Sequence, residues 1–267
     1  MSADTLEAHI TSRLAERATQ TPPGSDPILL MSHLVLGHPS LEDNREVIRQ
    51  MVANGVDIME LQIPFSEPIA DGPVIARANQ SALDGGFEVD QGLAFISEMT
   101  RTHAIPFLIM TYYNILLARG VAAFIQDAAN RGVRGLIVPD LPLEEADEAI
   151  ELCHQAGMDW IQLMTPTCPD ERLAAIGSKA RGFCYCVARK GVTGKDTAFG
   201  QELKIFMDRC RQAAGTPLAL GFGVKKPEDV QFLSGLADIA VVGTKGIEIN
   251  REQGAEGVGR FFKALRG

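Results

Sequence analysis

Eight short apolar runs, punctuated by Gly or Pro and separated by stretches of helical spacing, limit what this chain can fold into. They cover 28–36, 58–63, 107–111, 135–138, 160–164, 182–187, 218–221 and 239–242. The runs are nearly continuous in apolar character rather than alternating. That pattern belongs to strands covered on both faces, as in a parallel sheet with helices packed over it. Helical spacing fills the gaps at 40–54, 73–83, 121–131, 143–155, 169–179, 201–213, 227–233 and 258–265. The first of these opens with the capping pair Ser40 and Asp43 and stops at Gly55. Two more helices fall outside strict alternation, one at 5–18 before the first strand and one at 91–103 after the second strand's own helix. An α/β fold follows, a (β/α)8 barrel with those two additional helices. A single domain over 1–267 is expected, with 1–26 forming the N-terminal helix and a linker. A doubly wound open sheet is the alternative topology.

The composition removes several function classes. A formal charge of −9 with no basic block argues against a nucleic-acid surface. The five cysteines form no CxxC pair and have no His at metal-ligand spacing, so reduced thiols, no metal site and a cytosolic location are expected. Residues 1–22 lack an apolar leader core, and no later run is long enough to span a bilayer.

The chemistry concentrates in MELQIPFSEPIADGP, Met59 to Pro73. Glu60 sits inside the second apolar run, and Asp71 lies in the Pro-rich loop that follows. A carboxylate in such a strand costs several kcal/mol if left unpaired, and desolvation disfavours its charged form. A structural ion pair with Arg or Lys is the ordinary outcome for a buried Glu. A second acid in the loop directly after the strand favours catalysis instead, because barrel chemistry sits at the carboxyl ends of strands. Three Gly-rich turns follow the last three strands: ARKGVTG (Ala188 to Gly194), LGFGVKKP (Leu220 to Pro227) and VVGTKG (Val241 to Gly246). Their backbone N–H groups can approach an anion closely, and the last two precede helices, so a phosphate is expected there.

These residues resemble the α subunit of tryptophan synthase. The family pattern LELGxPFSDPxADGPxIQ stands beside MELQIPFSEPIADGPVIA here, and the likeness continues through LIMTYYN, VPDLPLEE, TPTCPDER, GFCYCVARKGVTG and GFGVKKPEDV. It covers nearly everything from Pro27 to Leu265 in order. The resemblance implies a (β/α)8 barrel that cleaves indole-3-glycerol phosphate to indole and glyceraldehyde 3-phosphate without metal or cofactor. It also implies an α2β2 assembly with a pyridoxal-phosphate-dependent β subunit. By the same likeness Glu60 is the general acid/base, Asp71 accepts the indole N–H, and Tyr185 is an active-site tyrosine. Tyr112 lines the pocket, Thr193 belongs to the lid loop, and Gly194, Gly223, Gly243 and Thr244 cradle the phosphate. The chain departs from the family at Gln62, where Gly is usual, at Glu67 for Asp, and at Thr244 for Ser. His33 stands where an apolar aromatic pocket residue is expected, and a satisfied core or rim histidine is the expected role for it. A stand-alone phosphate-sugar or indole-type lyase and a non-catalytic ligand-binding subunit are the alternative readings.

Overall fold

The computed structural model describes residues 5–21, 26–188, 196–221 and 223–267. In chain order its elements begin with α1 (Leu6–Ala18), β1 (Leu29–Val35), α2 (Leu41–Ala53), β2 (Ile58–Gln62), α3 (Pro73–Asp84), α4 (Val89–Thr102) and β3 (Phe107–Met110). There follow α5 (Tyr113–Arg119), α6 (Val121–Asn130), β4 (Gly135–Ile137), α7 (Asp147–Gln155), β5 (Asp159–Trp160) and β6 (Gln162–Met164). The remainder are α8 (Asp170–Ser178), β7 (Cys184–Val187), α9 (Asp196–Ala213), β8 (Leu218–Gly221), α10 (Pro227–Leu233), β9 (Ile239–Val242) and α11 (Thr244–Arg266).

Two compact units divide the chain: Met31–Trp160 with Gly243–Gly267, and Met1–Leu30 with Ile161–Val242. In the first, β1 through β5 pair in sequence order, all parallel. The register places His33 opposite Glu60 and Val35 opposite Gln62, with Glu60 opposite Leu108 on the next strand. In the second, β6 through β9 pair in the same parallel fashion, and Leu29 N–H bonds Asp238 O.

The single strand expected at 160–164 is two, interrupted at Ile161: β5 pairs with β4, and β6 pairs with β7. Helix α5 was invisible to periodicity because it spans only seven residues and buries only Leu116. The last helix begins at Thr244 rather than 258, because Gly254 (φ 66°, ψ −173°) breaks its run and disguises the first half. Capping was readable: the Ser40 side chain accepts from Asp43 N–H at the start of α2.

Strands β1 and β2 are buried at every position. Most of their residues are aliphatic, but Ser32, His33, Glu60 and Gln62 are buried with them. Each such polar group loses a few kcal/mol of hydration unless the fold supplies a partner. Where those partners are found locates the site.

Candidate active site

Side chains alternate along a strand, so Glu60 and Gln62 point to the same side of β2. The parallel register sets His33 next to Glu60, and the His33 Nδ1 to Glu60 Oε1 distance is 3.1 Å. Both side chains are almost wholly excluded from solvent, at 6% and 4% exposure. Glu60 is therefore paired with a histidine, not with the Arg or Lys that a structural ion pair would use. Its other oxygen, Oε2, is buried with no hydrogen-bond partner among the described residues.

Gln62 is fully buried and donates from Nε2 to Asp71 Oδ2 at 2.7 Å. Tyr112, just beyond β3, donates its hydroxyl to the same oxygen at 3.1 Å. Asn79 on α3 approaches it at 3.5 Å, while anchored by its own bond to Ile75 O. Among the described residues these three donors all land on Oδ2 rather than Oδ1 of Asp71. The Asp71 loop is fixed at both ends: Phe65 N–H donates to Asn79 Oδ1, and Ala70 N–H donates to the Tyr112 hydroxyl. The Phe65 ring also stacks on Tyr112 at 5.1 Å between centroids. Tyr112 in turn sits at the N-terminus of α5, where Tyr113 N–H reaches both Asp140 carboxylate oxygens at 2.9 and 3.1 Å.

The charges pull in opposed directions. Burial drags the His33 imidazole down, but the Glu60 charge and hydrogen bond, with Asp71 behind them, outweigh it and hold His33 above the usual histidine value. Gln62 lies close enough to add a small polar contribution, though outside hydrogen-bonding geometry with His33 Nε2. For Asp71, burial raises the carboxyl, while the Gln62 bond, the His33 charge and the Tyr112 bond pull it back without cancelling the rise. The Tyr112 hydroxyl is pushed up by burial first and then by the Asp71 charge.

Gly243 and Thr244 begin α11, with Gly243 as its N-cap. A side chain at Gly243 would bring its Cβ within 3.6 Å of His33 Cβ. Lys245, a possible counter-charge beside this turn, is engaged with Glu248 at 3.3 Å. In the other unit, Tyr185 on β7 lies over Gly221, where an added Cβ would stand 3.1 Å from the ring carbon Cε1. Gly223 adopts φ +82°, a conformation that favours glycine. The N–H groups of Lys225 and Lys226 in the same turn are already taken by Asp229 Oδ2. Thr193 and Gly194 lie outside the described residues.

Asp71 and Tyr112 are thus joined by hydrogen bonds, and Glu60, paired with His33, stands two residues before Gln62 on the same side of β2. Sequence reasoning missed the parts played by His33, Asn79 and Asp140, and left open what Gln62 touches. A histidine and a glutamine on adjoining all-apolar runs, in step with Glu60, were the available signal. Among the described residues, no group of three or more His, Cys, Asp or Glu could hold a metal, and no helix is long and apolar enough to cross a membrane.

A family model described as "Tryptophan synthase alpha chain" matches residues 25–260. The tryptophan synthase alpha chain of Desulforapulum autotrophicum is 48% identical over 97% of this chain and 99% of its own. That of Desulfotalea psychrophila is 50% identical over 90% and 94%. Among solved structures, ligand-free tryptophan synthase from M. tuberculosis superposes with TM-score 0.85 at 29% identity, covering 99% of this chain and 98% of that one. The tryptophan synthase complex from Pyrococcus furiosus gives TM-score 0.79 at 31% identity, covering 89% and 97%. The (β/α)8 barrel read from the alternating runs is the fold of these neighbours and of this chain.

Proposed function

The chain belongs to the tryptophan synthase alpha chain family, and from that premise we propose that Glu60 and Asp71 divide the chemistry of its reaction. The protein is a carbon–carbon lyase of tryptophan biosynthesis that cleaves indole-3-glycerol phosphate to indole and glyceraldehyde 3-phosphate. It works with a tryptophan synthase β subunit, and we take the assembly to be α2β2 and cytoplasmic.

Cleavage is a retro-aldol step. Indole is a poor leaving carbanion, so C3 takes a proton as the bond to the glycerol side chain is broken, and positive charge grows toward N1. An anionic acceptor at N1–H stabilises that charge in a site closed to water. Asp71 suits this task through Oδ1, because its twin oxygen is anchored. Glu60 delivers the proton to C3 and removes one from the side-chain hydroxyl. Tyr112 and Gln62 fix the Asp71 carboxylate, and Tyr185 contacts the substrate. By the family likeness we assign the phosphate to Gly194, Gly223, Gly243 and Thr244 and the lid loop to Thr193; Gly243, as the N-cap of α11, supports its part in this, because a helix start offers free N–H groups to an anion.

The observation that carries this reading is the inequality of the two Glu60 oxygens: one is held by His33, and the other is buried with nothing in the described protein to bond. The test is indole release from indole-3-glycerol phosphate by the purified chain, with and without a β subunit. Glu60→Gln and Asp71→Asn should each lower kcat by about 10²–10⁴. Turnover that survives Glu60→Gln removes Glu60 from the chemistry. Release indifferent to any β subunit removes the functional partnership.

A further inference from the structure

A carboxylate that both takes and gives a proton needs something to define its resting state. Among the described residues, His33 is the one ion-pair partner Glu60 has. The contact is not incidental. It joins facing residues of two adjacent buried strands, so the backbone register itself sets the separation. Gly243 lies on another side of the histidine, where an added Cβ would meet His33 Cβ at an ordinary contact distance of 3.6 Å. We infer that His33 is the positioning residue of the reaction, holding Glu60 through Oε1 as a carboxylate with Oε2 turned to the substrate. This rests on the reading of Glu60 as the acid/base.

The proton bookkeeping closes without exchange with solvent. Oε2 removes the hydroxyl proton of the glycerol side chain, breaking O–H and leaving an alkoxide. The same oxygen passes that proton to indole C3, forming C–H and leaving a cation delocalised onto N1, opposite Asp71. The alkoxide electrons form the aldehyde C=O, the C–C bond breaks, and its electron pair restores the indole ring. Glu60 ends as the carboxylate it began as. Throughout, Nδ1–H of His33 stays on Oε1. The charges acting on His33 are those of Glu60 and Asp71. Tyr112 reaches this group only through Asp71, Gln62 is uncharged, and Gly243 brings no side chain. Burial opposes a charged imidazole, and the two carboxylates outweigh it.

The test compares kcat and KM against pH for the full chain and for His33→Phe, His33→Gln and Glu60→Gln, with the β subunit present. Without His33, Glu60 loses its counter-charge in a buried site, so the acid limb of kcat should move to higher pH by about one unit or more. KM should change less than about threefold, because the role inferred for His33 is to hold Glu60 rather than substrate. His33→Gln retains a donor for Oε1 but no charge. It should recover plateau kcat relative to His33→Phe while keeping the displaced limb. Limbs that coincide with the parent in both variants overturn the inference, even if kcat falls. An inactive Glu60→Gln beside unmoved limbs removes His33 alone, whereas an active Glu60→Gln removes the Glu60 reading beneath it. Should His33→Phe fail to fold, imidazole titration by NMR decides. The His33 midpoint should fall in Glu60→Gln, and an unchanged midpoint overturns the pairing.

Discussion

Gln62 donates its amide to Asp71 Oδ2 across 2.7 Å, from a fully buried position on β2. A hydrogen bond from a buried amide to a carboxylate contributes roughly 1.5–3 kcal/mol. Gln62→Leu keeps the volume and deletes the donor. It should lower kcat/KM for indole-3-glycerol phosphate by about tenfold or more, with the loss mainly in kcat. Steady-state kinetics decide, and an unchanged kcat/KM would mean that Tyr112 and Asn79 suffice to hold the carboxylate.

Asp71 carries a standing conflict between stability and activity. Its folded-state carboxyl is raised above the usual aspartate range, chiefly by burial. A raised carboxyl favours the folded state below its unfolded value, and that advantage is lost as pH climbs through the folded value. At neutral pH the ionised side chain therefore works against folding. Asp71→Asn should raise Tm at pH 7–8 while abolishing most turnover. The gain should vanish in acid below the ordinary aspartate range. A lower Tm at neutral pH would refute this balance.

The Tyr185 ring depends on the missing side chain at Gly221. An added Cβ would lie 3.1 Å from Cε1 and 3.4 Å from the hydroxyl, so the ring must shift by a few tenths of an ångström. Gly221→Ala should reduce kcat by roughly tenfold, with a stability loss of only about 1 kcal/mol. Thermal unfolding beside kinetics separates the two, and full activity would show that the placement of Tyr185 is not critical.

Far from the chemistry, Arg266 at the end of α11 pairs with the fully buried Asp57 and also donates to Gly55 O at 2.8 Å. Removing one partner of a buried pair leaves an uncompensated charge. Arg266→Ala should therefore cost about 3–5 kcal/mol in denaturant unfolding. Restoring part of that loss with Asp57→Asn in the same chain would identify the stranded carboxylate as the cause. A cost below about 1 kcal/mol would mean that solvent reaches Asp57.

The strands were legible because burial on both faces leaves an unbroken apolar record, and seven of the eight runs end within a residue or two of the strands observed. The run at 160–164 hid its interruption, since Ile161 is as apolar as its neighbours and only the pairing partner changes there. Helix α5 and the first half of α11 were lost for the opposite reason, too little buried surface in one and a glycine break in the other. Within the site, Glu60 and Asp71 announced themselves as acids where acids are expensive. His33 did not, because a lone histidine in a strand says nothing until the register names its neighbour. Gln62 was visible as an oddity, but its partner stands nine residues away around a loop that sequence cannot fold.

Tyr112 anchors the acid loop at two points. One end is clamped where Phe65 meets Asn79 and the Tyr112 ring, the other where Ala70 bonds the Tyr112 hydroxyl, and between them Ile69 projects at 78% exposure. The hydroxyl that receives the Ala70 amide is the same one that grips Asp71 Oδ2. The exposed crest at Ile69 and the buried carboxylate of Asp71 thus hang from a single phenol, which ties the outer surface of the loop to its chemical end through two hydrogen bonds.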